Sequence, residues 1–210
     1  MEAAIKPLRR NLSLSPFRGL CAHQNWQNTI GEIMKAKLTK EEQKNESTTL
    51  GDLFLKELVA EVPASRKCIE RVPEKLFAWK PHERSMEMGY LAELVAQIPQ
   101  WVATMAQASE IDMAVGERGE LKTTADLVAL FEKNIEAARN ALRDVSNDAL
   151  TETFYLKRHG QVVFEAPKSE FIPSTINHLV HHRGQLSVYL RMNDIAVPSI
   201  YGPSADEQSF

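Results

Sequence analysis

Cysteine is scarce in this chain: Cys21 and Cys68 are the only two in 210 residues, far apart and not in a C-x-x-C arrangement. That excludes a disulfide framework and a cysteine-built zinc site. The expectation for the two thiols is one free at the surface and one half-buried. Long apolar runs are also missing, since none approaches the ~20 residues of a membrane span. The N-terminus lacks the continuous apolar stretch of a secretory signal, so the chain reads as cytoplasmic and free of membrane. Positive charge is not in excess: the net charge of -3 supplies no general basis for holding nucleic acid. No Gly-rich phosphate loop, nucleophile elbow or Ser/His/Asp arrangement occurs, and no internal repeat is visible. What is present is ordinary for a globular chain, 43% apolar and 25% charged. The length suits one domain plus an appendage.

The appendage reads as residues 1–48. "KAKLTKEEQKNEST" (35–48) has almost no large apolar residue and reads as a solvated linker. The residues before it mix Pro, Gly, Ser and Arg without a period, as a flexible extension would. From Thr49 the helical period is plain. Leu50, Leu53, Phe54, Leu58 and Val62 form a stripe at i, i+3, i+4 spacing, which predicts helix one over about 49–71. Ser85 is a candidate N-cap for helix two over about 86–106, carrying Met88, Leu91, Val95, Ile98 and Val102. Helix three is expected from Thr123 or Thr124 to about Val145, with Asp126 favourable in its first turn. Residues 151–166 alternate apolar and polar around His159-Gly160, which predicts a short extended hairpin. Helix four then covers about 171–193. The expectation is an all-α domain over 49–210, a four-helix bundle with a short extended excursion between helices three and four.

Helix four holds three of the six histidines. At about 100° per residue, His178 and His182 lie some 40° apart on one face, and Gln185 and Tyr189 continue it. Two imidazoles at i, i+4 can close on one divalent cation. The same spacing also occurs as plain polar surface, and spacing alone does not separate the two. His181 is turned away and should face solvent or a partner. Gly184 costs its helix about 1 kcal/mol relative to Ala, which points to close packing against another helix there. Arg183 should pair with an acidic residue of another helix or bind an anionic group.

"LAELVAQIPQW" (91–101), "KPHERSM" (80–86) and "NHLVHHRGQLSVYLRMNDIAVPSIYGPSADE" (177–207) resemble the DinB/YfiT-like superfamily, over about residues 50–207. The resemblance implies an up-down-down-up four-helix bundle, usually a homodimer. It further implies a divalent cation, often nickel or zinc, held by one helix-two histidine and an H-x-x-x-H pair on helix four. The pair matches His178 and His182, with Gln185 placed to orient a ligand from behind. The helix-two histidine, however, falls at Leu94, which cannot ligate. Catalytic zinc normally takes three protein donors, so the cation would be weakly held or absent unless another group substitutes. Glu93 and Gln97 flank Leu94. Glu93 is the chemically best substitute but is turned about 100° from Leu94 around the helix. A tail carboxylate, Asp206 or Glu207, is an equal candidate, with His82 a further one from a loop.

Two functions follow. One is a metal-dependent transferase or hydrolase acting on a small thiol-type molecule, whose nucleophile the metal would activate. The other is a non-enzymatic dimeric bundle that has lost its metal and serves as a binding module. Association is expected through apolar residues of helices two and three.

Overall fold

A computed structural model describes residues 48–114 and 122–208. The extension read over 1–48 therefore lies, Thr48 apart, outside the described residues, and Cys21 with it. The described part is mostly helical with a small three-stranded sheet.

Helix α1 spans Leu50–Glu70. Its start is set by a reciprocal cap. The Asp52 N–H donates to Thr49 Oγ1 at 3.0 Å, and the Thr49 N–H donates to Asp52 Oδ2 at 3.0 Å. Such a cap is worth about 1 kcal/mol. Helix α3, Thr124–Asp144, opens with the same device, Thr123 with Asp126. Helix α2, Met88–Gln107, starts differently from the sequence expectation. Ser85 does not cap it. Instead the Met88 N–H donates to Trp79 O at 2.8 Å and the Gly89 N–H to Phe77 O at 2.9 Å. The ordered crossing, which includes a 3₁₀ turn at Glu74–Leu76, thus satisfies first-turn donors in place of a side chain. Helix α5, Lys168–Met192, begins directly after Pro167.

The expected hairpin is present as β2, Thr153–Arg158, and β3, Gln161–Pro167, paired antiparallel. Its turn residues both adopt positive φ, 52° at His159 and 76° at Gly160, the geometry that matches strand twist in two-residue hairpins. A third strand, β1 (Glu110–Asp112), runs parallel to β2. Nothing periodic announces it. The Asp112 carboxylate anchors the hairpin turn by accepting from the Gly160 N–H at 2.6 Å and the His159 N–H at 3.1 Å. A short helix α4, Asn147–Thr151, also escaped the periodic reading.

Helix α2 packs chiefly on α3 and α5, and α1 packs on the same two. Leu58, Leu91, Val95, Phe131, Leu142 and Leu186 are fully buried among these four helices. Two glycines have opposite surroundings. A Cβ on Gly51 would sit 2.4 Å from the Leu142 carbonyl oxygen, so α1 and α3 touch there because Gly51 has none. Gly184 corrects the sequence expectation: it is exposed, and nothing lies within 4 Å of where its Cβ would be. Cys68, expected at most half-buried, has no solvent exposure. That burial pushes its thiol up to about 11, against the opposing pull of Arg183 and Arg71. Among the described residues no helix is long and apolar enough to cross a membrane.

Candidate metal centre

The α5 face that carries His178 and His182 turns both rings toward one point. Their Nε2 atoms are 2.7 Å apart and their centroids 4.4 Å. His182 is buried, and its Nδ1 lies 2.8 Å from Gln185 Oε1. A carbonyl oxygen only accepts, so His182 carries its proton on Nδ1 and presents a bare lone pair at Nε2. Two bare lone pairs at 2.7 Å would repel. Without a cation between them, His178 must therefore donate from Nε2; with one, that proton is displaced. Gln185 thus fixes the tautomer of His182.

His178 keeps an exposed edge, but the Trp101 indole of α2 stacks on its ring at 5.9 Å between centroids and 27° between planes. Loss of water contact lowers both imidazoles below their usual value, and neighbouring imidazoles act in the same direction. The Gln185 bond opposes this at His182. The neutral form, the one that binds metal, is accordingly favoured in both rings. His181 is exposed, its ring 5.0 Å from that of His182 and set edge-on.

The third donor is the missing part. Leu94 is half-buried and packs on the core. Among the described residues, no three His, Cys, Asp or Glu side chains form a group able to hold a metal ion. Glu93 lines a surface groove of about 490 Å³ with Phe77, Lys80, Ser85, Tyr90 and Leu127. The loop alternatives are engaged elsewhere. His82 Nδ1 accepts from the Arg84 N–H at 3.2 Å. Asp206 pairs with Arg191, and Glu207 with Lys67 at 3.0 Å and with Arg71. These cations and the Ser199 N–H hold the Glu207 carboxyl down at about 2. Among the described residues, the histidine pair offers two nitrogen donors and none of these candidates supplies a third.

Arg183, directly after His182, is almost fully buried. It pairs with the Glu61 carboxylate of α1, and its Nη2 donates to the Tyr201 hydroxyl at 2.8 Å. That hydroxyl donates in turn to Glu61 Oε2 at 2.9 Å. The guanidinium also sits 5.1 Å from the Tyr201 ring centroid, within cation–π range. The partner on another helix was expected; the tyrosine from the tail was not. The tail segment "SIYGPSADE" is thus a strap, tied to α1 by Glu207 and to α5 by Tyr201 and Asp206.

A family model described as the DinB family matches residues 34–209. Among curated proteins, an uncharacterized protein YrdA from Bacillus subtilis strain 168 is 25% identical over 158 residues, spanning 74% of this chain and 90% of its own. Two solved structures share the fold. A DinB-like protein from Bacillus cereus ATCC 10987 has a TM-score of 0.57 at 21% identity, covering 73% of this chain and 99% of its own. The DinB-like protein YjoA from Bacillus subtilis also gives 0.57, at 16% identity, with 75% and 99% covered.

Proposed function

Because this chain belongs to the DinB family, we propose that it is a divalent-metal-binding member that keeps the two helix-borne histidine donors, His178 and His182, and has given up the third to Leu94. The architecture in this reading is the up-down-down-up four-helix bundle, with the sheet as an insertion before the last helix. The observation that carries the proposal is the pair of Nε2 atoms 2.7 Å apart with the His182 tautomer fixed by Gln185. His182 is buried, oriented by Gln185 and shifted toward its neutral form, which suits a metal ligand better than plain polar surface. Nickel or zinc suits imidazole nitrogen. With two protein donors the cation leaves coordination positions to water or a small thiol-type molecule. Bound, it would lower the pKa of that ligand and make a nucleophile at neutral pH, the chemistry of a metal-dependent transferase or hydrolase.

The packing of Leu94 on the core favours a second reading, a bundle that binds no metal and acts as an interaction module. Metal titration of untagged protein separates the two. The parent should bind nickel or zinc weakly through the histidine pair, and His182→Ala should abolish that binding while His181→Ala should not. Leu94→His should tighten binding by an order of magnitude or more, since a third imidazole completes the set. Equal affinity in the parent and His182→Ala would leave only the second reading.

A further inference from the structure

The two imidazoles of the pair are held in different ways. His182 is buried and tied at Nδ1 to Gln185. His178 is exposed, and among the described residues its one hydrogen bond is that between its Nε2 and His182. An exposed ring with so little to hold it changes rotamer within picoseconds to nanoseconds. The remaining restraint on His178 is the Trp101 indole, 5.9 Å away between centroids and 27° from parallel. Every other ring pair among the described residues meets at a steeper angle, between 54° and 84°. Trp79 against Tyr189, at 84°, is an ordinary edge-on packing contact. At His178 a face lies on a face, which restricts the tilt of the imidazole plane.

The indole is itself well anchored. Trp101 stands two turns beyond Leu94 on the same face of α2 and is half-buried against the core. One turn away the two helices are pinned together, where Thr175 Oγ1 of α5 lies 3.3 Å from Met105 Sδ of α2, both residues being buried. Stacking also differs from a hydrogen bond in a way that matters here, because it occupies neither ring nitrogen. Without a cation His178 must carry its proton on Nε2 to donate to His182; with one, Nε2 must be bare and the proton moves to Nδ1. A carbonyl acceptor on His178 Nδ1, like the one Gln185 offers His182, would lock the second form and set two bare lone pairs against each other in the first. An indole face is indifferent to the choice.

From this we infer that Trp101 is the positioning residue of His178: it holds the plane of the ring and leaves its tautomer free to follow the cation. The holding of the ring stands on geometry alone, whereas its consequence for metal affinity rests on the metal-binding reading above. Ligand orientation by surrounding groups commonly governs metal affinity by an order of magnitude or more.

Two substitutions separate positioning from packing. Trp101→Phe keeps an aromatic face, and Trp101→Leu keeps apolar bulk without one. Nitrogen-15 NMR of the imidazoles in metal-free protein reads the ring directly. The parent and Trp101→Phe should show one Nε2-protonated tautomer at His178. In Trp101→Leu that signal should give way to a tautomer mixture, while His182 stays protonated on Nδ1 through Gln185. Nickel titration should then find Trp101→Leu about tenfold weaker than the parent and Trp101→Phe within about threefold of it. Circular dichroism checks the fold, and Trp101→Met replaces the leucine variant if that one loses its helical signal. A His178 signal unchanged in Trp101→Leu would overturn the proposal, as would a Trp101→Phe variant no better than Trp101→Leu or a Trp101→Leu variant that binds nickel as the parent does. A parent that binds no nickel would instead sink the metal-binding reading, and the metal-free spectra would still decide whether Trp101 positions the ring.

Discussion

Replacing Glu61 by leucine isolates the worth of the buried ion pair that joins α5 to α1. Arg183 is 1% exposed, and its guanidinium has four hydrogen-bonding partners: the Glu61 carboxylate, the Tyr201 hydroxyl, the Glu61 backbone oxygen at 3.4 Å and the Ser65 hydroxyl at 3.5 Å. Its Nε atom is buried without a partner among the described residues, so no spare acceptor is at hand. Glu61→Leu removes the only opposite charge and leaves a buried cation. Breaking a buried pair this way costs about 3–5 kcal/mol. The lower end applies here, because the phenol and the carbonyl remain. A loss of about 3 kcal/mol in a domain of this size lowers Tm by about 6–12 °C. The double variant Glu61→Leu/Arg183→Met removes both charges and fills the space with apolar atoms. It should recover to within about 1 kcal/mol of the parent or exceed it, since desolvating the pair offsets its mutual attraction. Urea denaturation of the parent, the two single variants and the double variant closes the cycle. A Glu61→Leu loss under about 1 kcal/mol would refute the reasoning, because it would mean that the guanidinium finds water once its partner is gone.

Gly51→Ala should destabilise the fold by about 1–3 kcal/mol despite alanine's better helix propensity, because the new Cβ meets a backbone oxygen that cannot move without shifting α3; thermal unfolding checks the sign, and a stabilised variant would contradict the close approach. Glu207 supplies a pH dependence. Its folded-state carboxyl lies at about 2, below the unfolded 4.5, so its stabilising contribution is complete above about 4.5 and is lost as pH falls toward 2. Stability measured against pH should therefore be flatter across that window in Glu207→Gln than in the parent. The imidazoles of His178 and His182 are also lowered, so protons favour the unfolded chain below the usual histidine range and stability should rise with pH through it. Replacing both by glutamine should remove that rise, as acid denaturation followed by circular dichroism would report.

The sequence alone determined the features that depend on neighbours in the chain. Helical period placed the apolar stripes of α1, α2 and α3. The same period put the start of α1 near Thr49, Asp126 marked the first turn of α3, and alternation around His159-Gly160 located the hairpin. The facing of His178, His182 and Gln185 follows from 3.6 residues per turn, and so does the outward turn of His181. The start of α2 was misplaced at Ser85 because its cap comes from carbonyls of a loop whose path no local signal records. Only the tertiary structure decided which glycine is a contact and which is open. Gly51 and Gly184 look alike as helix-interior glycines, and the difference lies in whether Leu142 or nothing stands opposite. The same holds for the charges. Asp206 and Glu207 appear free in the sequence, yet the fold commits them to Arg191, to Lys67 in α1 and to Arg71 at its C-terminal cap, the last two more than a hundred residues earlier. A side chain's geometry on its own helix is a local property, whereas its partner is set by how distant segments pack.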